Sequence, residues 1–190
     1  MNTPAHLVFG LTAFGRPNQT AVTIAALIGS FLPDLSLYLM AGICLFVLGM
    51  PPQRVFDELY FSDAWQQVFA IDNSFVLWGI ALAVCLWRRS AKGVALTGAA
   101  ILHLMFDFPL HHDDARRHFW PISNWVFESP YSYWDRAHHG GVISWIENAL
   151  VAVMAVVLVM RFRAVWPRIG IALLAGMQLV PFIMFSIMFG

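Results

Sequence analysis

Two ionisable side chains lie one helical turn apart in an otherwise apolar segment of this sequence. His103 and Asp107 are separated by four positions, so both project from the same face of a helix. An imidazole and a carboxylate at this spacing can bind one metal ion. A lone histidine in such a segment is more often a hydrogen-bonded core residue, but the carboxylate one turn later favours metal ligation.

Two further candidate ligands are predicted to lie at a similar depth. Asp34 belongs to the first long apolar segment, and His6 belongs to the short apolar segment before it. With a rise of about 1.5 Å per residue, Asp34 and Asp107 lie roughly 20 Å, and His6 and His103 roughly 15 Å, from the inner ends of their segments. We therefore expect these four side chains to form the core of one metal site. Alternatively, Asp34 only caps a helix that restarts after a proline.

The loop that follows this segment is rich in side chains that bind metal ions. Residues 111–118 read His-His-Asp-Asp-Ala-Arg-Arg-His, and the same loop ends with further histidines at positions 138 and 139. We predict His112 and His118 as additional ligands of the metal site. Imidazole together with carboxylate suits Zn²⁺, Fe²⁺ or Mn²⁺, and Zn²⁺ is the ion that we expect here.

Metal-assisted ester hydrolysis is the chemistry that these residue types would support. A divalent ion lowers the pKa of a water molecule towards neutrality and so supplies a nucleophile. Arg116 and Arg117 are candidates for binding a phosphate group, and Asp72 or Asp113 for the general base. Alternatively, the arginines and acids of this loop form solvated ion pairs or contact lipid head groups.

The composition indicates a lipid environment. Of the 190 residues, 59% are hydrophobic and 12% are charged, and the mean hydropathy is +0.68. A soluble domain usually carries about 25% charged residues. The eleven basic and eleven acidic residues cancel, so we expect no binding of nucleic acid. The sequence predicts a single integral membrane domain over residues 1–190, with membrane lipids as its partners.

The hydrophobic pattern predicts an all-α fold, a polytopic bundle of transmembrane helices. A bilayer core about 30 Å thick is crossed by roughly 20 apolar residues. About five segments approach this length, namely 20–50, 72–87, 93–110, 142–160 and 169–189. The apolar stretch that begins at Thr3 is only half as long and suits a short N-terminal re-entrant half-helix. Pro33 predicts a kink or a break within the first span.

Charged residues between the predicted spans indicate the orientation of the bundle. Basic side chains favour the cytoplasmic side of short connections. They occupy three such segments, as Arg16, Arg88, Arg89, Lys92, Arg161, Arg163 and Arg168. Alternate threading then places two loops, 51–70 and 111–141, on the outer side. We therefore expect a multi-pass protein of a bacterial inner membrane with its polar loops in the periplasm.

The order of these motifs resembles that of the bacterial membrane-bound metal-dependent hydrolases, a pattern that is also similar to zinc-dependent phospholipase C. The resemblance covers roughly residues 3–125, and each motif is short. The shared elements are, in order, His6, Leu32-Pro33-Asp34, His103 with Asp107, and Trp120-Pro121. The resemblance implies a metal-dependent hydrolase that acts on a phosphoester or lipid-like substrate at the outer face of the membrane.

One motif of that family is altered in this sequence. Where the family has Thr-His-Ser before the second span, this chain has Asp72-Asn73-Ser74, so a histidine is missing. Either the histidines of residues 111–118 replace the missing ligand, or the metal site is changed and hydrolysis is lost. The alternative hypotheses are a non-enzymatic membrane component that binds or transports a metal ion with the same polar site, and a structural subunit with a satisfied polar core.

Overall fold

The computed structural model describes the backbone of residues 1–189 and the side chains of residues 1–181 and 183. Over these residues the fold contains seven α-helices and no β-strand, which confirms the predicted all-α class. The helices are α1 (Thr3–Phe14), α2 (Thr20–Gly42), α3 (Asp63–Asp72), α4 (Phe75–Trp87), α5 (Ala91–Asp107), α6 (Gly140–Arg161) and α7 (Val165–Phe189). Short π-helical segments at Ile43–Val47 and Arg54–Leu59 and a 3-10 turn at Arg136–His138 complete the helical structure.

Three helical segments are long and apolar enough to cross a membrane, fewer than the five that the sequence predicts. They are Thr20–Val47, Asp63–Trp87 and Gly140–Arg161. Two further apolar helices are shorter over the residues searched, namely Thr3–Phe14 and Val165–Pro181, and α5 has only 17 residues. The predicted loop at 51–70 is in fact largely helical, since a π-helical segment and the start of α3 fall within it.

Helix α2 continues without interruption through Pro33, where the sequence predicts a kink or break. Proline disturbs the hydrogen bonds of the helical turn before it. In that turn, the Ser30 carbonyl accepts a hydrogen bond from Nδ1 of His103, at 2.7 Å. This carbonyl lies next to that of Gly29, whose helical donor would be the N–H that Pro33 lacks. Asp34 therefore does not cap a restarted helix.

The short helix α1 lies among longer helices and carries much of the apolar core. It packs against α2, α5, α6 and α7. Val8, Phe9 and Leu11 of α1 are buried with Val151 and Leu158 of α6. Because α1 is held on several sides, the polar side chains on its remaining face have fixed positions relative to α2 and α5.

Basic side chains gather near the C-terminal end of α1. Arg16 and Arg89 line one cavity there, and Arg161 and Arg163 line a second. The Arg161 guanidinium also donates a hydrogen bond of 2.6 Å to the Thr12 carbonyl. Since a 12-residue helix is about 18 Å long, this basic end is well separated from the histidine-rich end of the molecule.

Candidate metal centre

Three buried side chains from two helices form a compact group of potential metal ligands. His6 comes from α1, and His103 and Asp107 come from consecutive turns of α5. One ligand atom from each lies within 4.8 Å of the other two. The Asp107 carboxylate is the centre of the group, with Oδ1 2.9 Å from His6 Nε2 and Oδ2 3.0 Å from His103 Nε2.

The hydrogen bonding of His103 leaves its second ring nitrogen as an acceptor. Nδ1 lies 2.7 Å from the Ser30 carbonyl, which can only accept a hydrogen bond, so Nδ1 carries the proton in the neutral ring. Nε2 then presents a lone pair towards the carboxylates of Asp107 and Asp34. A metal ion between them, or a proton on Nε2, would offset the repulsion between these acceptors. A backbone carbonyl that accepts from Nδ1 and fixes the ring in this way is typical of histidines that bind metal ions.

His6 completes the group from the opposite helix. Both of its ring nitrogens are buried and have no hydrogen-bond partner. The short contact between His6 Nε2 and Asp107 is therefore not a well-formed hydrogen bond. The amine of Met1 also contacts Asp107 Oδ1, at 2.5 Å. A buried imidazole without partners is costly, and a metal ion bound at its lone pair would remove that cost.

Asp34 lies at the edge of the group. Its Oδ1 is 3.6 Å from His103 Nε2, and its Oδ2 accepts a hydrogen bond of 2.5 Å from the Thr3 hydroxyl. The same hydroxyl lies 2.9 Å from the hydroxyl of Tyr38. The Asp34 side chain is more exposed than those of His6, His103 and Asp107, and it lines a cavity. The structure thus brings together all four side chains that the sequence analysis assigned to the core of the site.

His111 also faces this group, although the sequence analysis selected its neighbour His112. The His111 Nε2 lies 3.5 Å from Asp107 Oδ2, and Nδ1 lies 2.7 Å from Asp114. Burial lowers the pKa of His111, but the carboxylates of Asp107 and Asp114 outweigh this effect and raise the pKa above its ordinary value. The spacing of four residues between Asp107 and His111, the same as between His103 and Asp107, is a signal in the sequence that could have identified it.

A cavity of about 120 Å³ opens beside the ligand group. Asp34, Asp107 and His111 line one part of it, and Tyr60 and Arg116 line another. The cavity is partly open, so a small polar group could reach the buried carboxylates through it. The Asn73 side chain, which the sequence analysis noted at the altered family motif, also borders the cavity.

Arg116 is buried in this cavity wall without an acidic partner. Only 7% of the residue is exposed, and no described carboxylate lies within 4.0 Å of its guanidinium. One terminal nitrogen donates to the Tyr60 hydroxyl at 2.5 Å, and the other has no partner. The guanidinium carbon lies 4.1 Å from the centre of the Phe69 ring. A buried cation with a free donor is a strong binding group for an anion.

The two additional predicted ligands do not join the group. His112 points to the other side of the loop, with Nδ1 2.7 Å from the Ser129 carbonyl. His118 is buried beside the rings of Phe75 and Phe108, with Nδ1 2.9 Å from the Asn73 carbonyl. Burial lowers the pKa of His118 to about 4, so the ring is neutral at physiological pH.

The remaining predicted residues lie outside the cavity lining. Asp113 is exposed, and Arg117 lies 3.9 Å from the exposed Asp63. The Asp72 carboxylate accepts a hydrogen bond of 3.2 Å from the Asn73 amide. These positions do not suit a general base or a phosphate ligand at the metal group. Of the two adjacent arginines, only Arg116 turns into the cavity, because it packs against aromatic rings.

No family model, no curated protein and no solved structure matches this chain. The resemblance to membrane-bound metal-dependent hydrolases therefore rests on the order of four short motifs. What the site does must be argued from its own side chains.

Proposed function

We propose that this protein is a membrane-embedded, metal-dependent hydrolase of phosphoesters. The observation that carries the proposal is one cavity lined both by Asp107, which belongs to the buried ligand group, and by Arg116, a buried arginine without an acidic partner. The first feature suits a divalent cation, and the second suits an anionic substrate group. Together they favour a phosphate ester over a neutral carboxylic ester.

The ligand group fits a divalent ion, for which Zn²⁺ is the expected choice. His6, His103 and Asp107 would hold it, because two imidazoles and a carboxylate form the ligand set of many catalytic zinc sites. His111 or Asp34 is close enough to extend the set. Such an ion supplies Lewis-acid activation of water and of the phosphoryl group.

Arg116 would bind the phosphate group of the substrate. Its free terminal nitrogen and the planar guanidinium suit a phosphate oxygen, and its burial keeps competing water away. The contacts with Phe69 and Tyr60 hold the guanidinium in one orientation. Binding at Arg116 would place the ester in the same cavity that Asp107 and His111 line.

Asp34 and Tyr60 are the candidates for proton transfer. Asp34 is held by the Thr3 hydroxyl through one oxygen, which leaves the other directed towards the ligand group to accept a proton from water. Burial raises the pKa of Tyr60 to about 12, so its hydroxyl remains protonated. Because Arg116 donates to the Tyr60 oxygen, the Tyr60 proton is free to be donated to a substrate oxygen.

The proposed orientation places this cavity at the outer side of a bacterial inner membrane, with α5 and α7 as further spans beside the three long apolar segments. The gathering of Arg16, Arg89, Arg161 and Arg163 at the opposite end of the molecule supports it, since basic residues favour the cytoplasmic side. A periplasmic reporter enzyme fused after Asp114 should be active, and one fused after Ser90 inactive. The reverse pattern would overturn the orientation.

Hydrolysis is tested with detergent-purified protein that has been stripped of metal and reloaded with Zn²⁺. Phosphate release from an aryl phosphate and from phosphatidic acid should require Zn²⁺ and should disappear in His103→Ala. Arg116→Gln should lower kcat/KM by roughly 100-fold, the effect of losing one donor to developing charge. Arg117→Gln is the matched control, because that partly exposed side chain lies outside the cavity lining.

A protein that binds Zn²⁺ through His103 but releases no phosphate from either substrate would instead favour the non-enzymatic role in metal binding or transport. A wild-type protein without bound metal would contradict both functions. Equal losses in Arg116→Gln and Arg117→Gln would remove the argument for a phosphate substrate.

A further inference from the structure

A second pair of stacked histidines lies in the loop outside the buried group. The rings of His112 and His138 have centroids 3.7 Å apart, and their planes are inclined by 25°. Both side chains are partly exposed. We infer that His112 and His138 form a second, solvent-accessible binding site for a late first-row divalent cation such as Zn²⁺.

The hydrogen bonds of both rings leave the same nitrogen available. Nδ1 of His112 lies 2.7 Å from the Ser129 carbonyl, and Nδ1 of His138 lies 2.6 Å from a carboxylate oxygen of Asp135. Each of these oxygens accepts the Nδ1 proton, so each neutral ring keeps a lone pair on Nε2. Neither Nε2 has a partner among the described residues. Histidines that bind metals through Nε2 usually donate the Nδ1 proton to a carbonyl or carboxylate oxygen in this way.

The backbone around the pair is fixed before any ion binds. The Ser132 amide donates to the His138 carbonyl at 2.8 Å, and the Asp135 carboxylate also accepts from the Ala137 amide at 2.9 Å. Next to His112, the Ser129 amide donates a hydrogen bond to the His111 carbonyl at 2.9 Å. The two rings are therefore held next to each other, which reduces the entropy that metal binding would cost.

The site differs from the buried group in its ligands and in its access. His112 and His138 supply two imidazoles and no direct carboxylate ligand, so water would complete the coordination sphere. Imidazole suits Zn²⁺, Ni²⁺ and Cu²⁺ rather than Mg²⁺ or Ca²⁺. Because fewer protein ligands contribute, we expect weaker binding than at His6, His103 and Asp107. The adjacent His139 does not belong to the site, since its backbone is left-handed and its ring lies beside Tyr131.

The test is a calorimetric Zn²⁺ titration of the full chain, purified without a polyhistidine tag and stripped of metal. The wild-type protein should bind two Zn²⁺ ions per chain, one tightly and one weakly. His138→Ala and His112→Ala should each lose the weak ion and keep the tight one. His103→Ala should do the reverse. His139→Asn, the matched control, should keep both, because asparagine tolerates the left-handed conformation.

Asp135→Asn gives an independent readout if an alanine variant fails to fold. Asparagine can still accept from the Ala137 amide, but it lacks the charge behind His138. We expect the weak Zn²⁺ affinity to fall by roughly tenfold, the usual effect of losing such a partner. The same number of Zn²⁺ ions and the same affinities in the wild type, His112→Ala and His138→Ala would overturn the second site. These results do not depend on hydrolysis, so the site can fail or hold separately from the proposed function.

Discussion

The imidazole rings of His6 and His103 lie face to face, with centroids 3.5 Å apart and planes inclined by only 9°. Two protonated rings would repel each other at this distance, so the stacked arrangement requires at least one neutral ring. Both Nε2 atoms lie at about 3 Å from the Asp107 carboxylate, so the three groups are close enough to bind one ion. The contact between α1 and α5 is therefore also the contact that builds the ligand group.

Zn²⁺ should stabilise the folded protein through this group. Metal-stripped protein is expected to unfold at a lower temperature than protein with Zn²⁺, because the ion binds only when α1 and α5 are packed together. At a free concentration 100 times its Kd, a ligand contributes about 2.7 kcal/mol. Thermal unfolding in detergent measures the shift. His103→Ala should abolish most of it, and His139→Asn should retain it; an equal shift in the two variants would contradict the assignment.

The sequence predicts the parts of the site that depend on periodicity and depth. His103 and Asp107 share a helical face because of their spacing, and His6 and Asp34 were found from their distance to the ends of their segments. The all-helical class follows in the same way from the long apolar runs. These features are local, or repeat regularly along a helix, so a single sequence contains enough information to predict them.

The sequence does not predict the features that depend on how loops pack. The burial of Arg116 against Phe69 and Tyr60 joins residues from distant segments that no spacing rule relates. Most of helix α3 falls within the predicted loop 51–70. Its Ser62 cap and the buried Trp65 and Phe69, four residues apart, were the available signals.

Variants of His111 and His112 test which of the two histidines contributes to Zn²⁺ binding at the buried group. His111→Ala should weaken tight Zn²⁺ binding by roughly tenfold, because His111 lies next to Asp107 without occupying the centre of the group. His112→Ala should leave tight binding unchanged, since its ring faces away from the group. Competition with a chelator of known affinity measures both constants. If His112→Ala weakens tight Zn²⁺ binding more than His111→Ala does, then His112, and not His111, faces the ligand group.

Gly29 permits the close approach of α2 and α5 on which the ligand group depends. A Cβ atom at this position would lie 1.9 Å from the Leu96 carbonyl oxygen, and a backbone atom cannot move without shifting α5. We expect Gly29→Ala to destabilise the protein by about 2 kcal/mol, within the usual range for overpacking. It should also weaken Zn²⁺ binding, because His103 lies further along the displaced helix.

Gly79→Ala is the matched control for that substitution. Gly79 lies within α4, and a Cβ atom there would meet no other atom within 4 Å. Alanine is the better helix former by about 1 kcal/mol, so the control should be neutral or slightly stabilising. Thermal unfolding and Zn²⁺ titration of both variants provide the comparison. Wild-type stability in Gly29→Ala would show that α2 and α5 do not pack this closely.

Glu147 anchors the beginning of α1, the helix that carries His6. One of its carboxylate oxygens accepts hydrogen bonds from the backbone and side-chain amides of Asn2, at 2.9 and 3.0 Å, and from Gln178 at 2.8 Å. The side chain is buried, so Glu147→Ala would leave these donors without a partner. A loss of about 2 kcal/mol is expected from such unsatisfied groups. Tight Zn²⁺ binding should weaken as well, because the start of α1 loses its attachment to α6 and α7.

Asn148→Ala separates this anchoring role from a general sensitivity of α6. Asn148 is the next residue of the helix, and its amide donates only to the Ser144 carbonyl of the preceding turn, at 2.8 Å. Its removal should change stability by less than about 0.5 kcal/mol and should leave Zn²⁺ affinity unchanged. Glu147→Gln, which keeps an acceptor oxygen, should lie between the two alanine variants. If Glu147→Ala lowers Tm but binds Zn²⁺ like the wild type, α1 is positioned by its apolar contacts with Val151 and Leu158 instead.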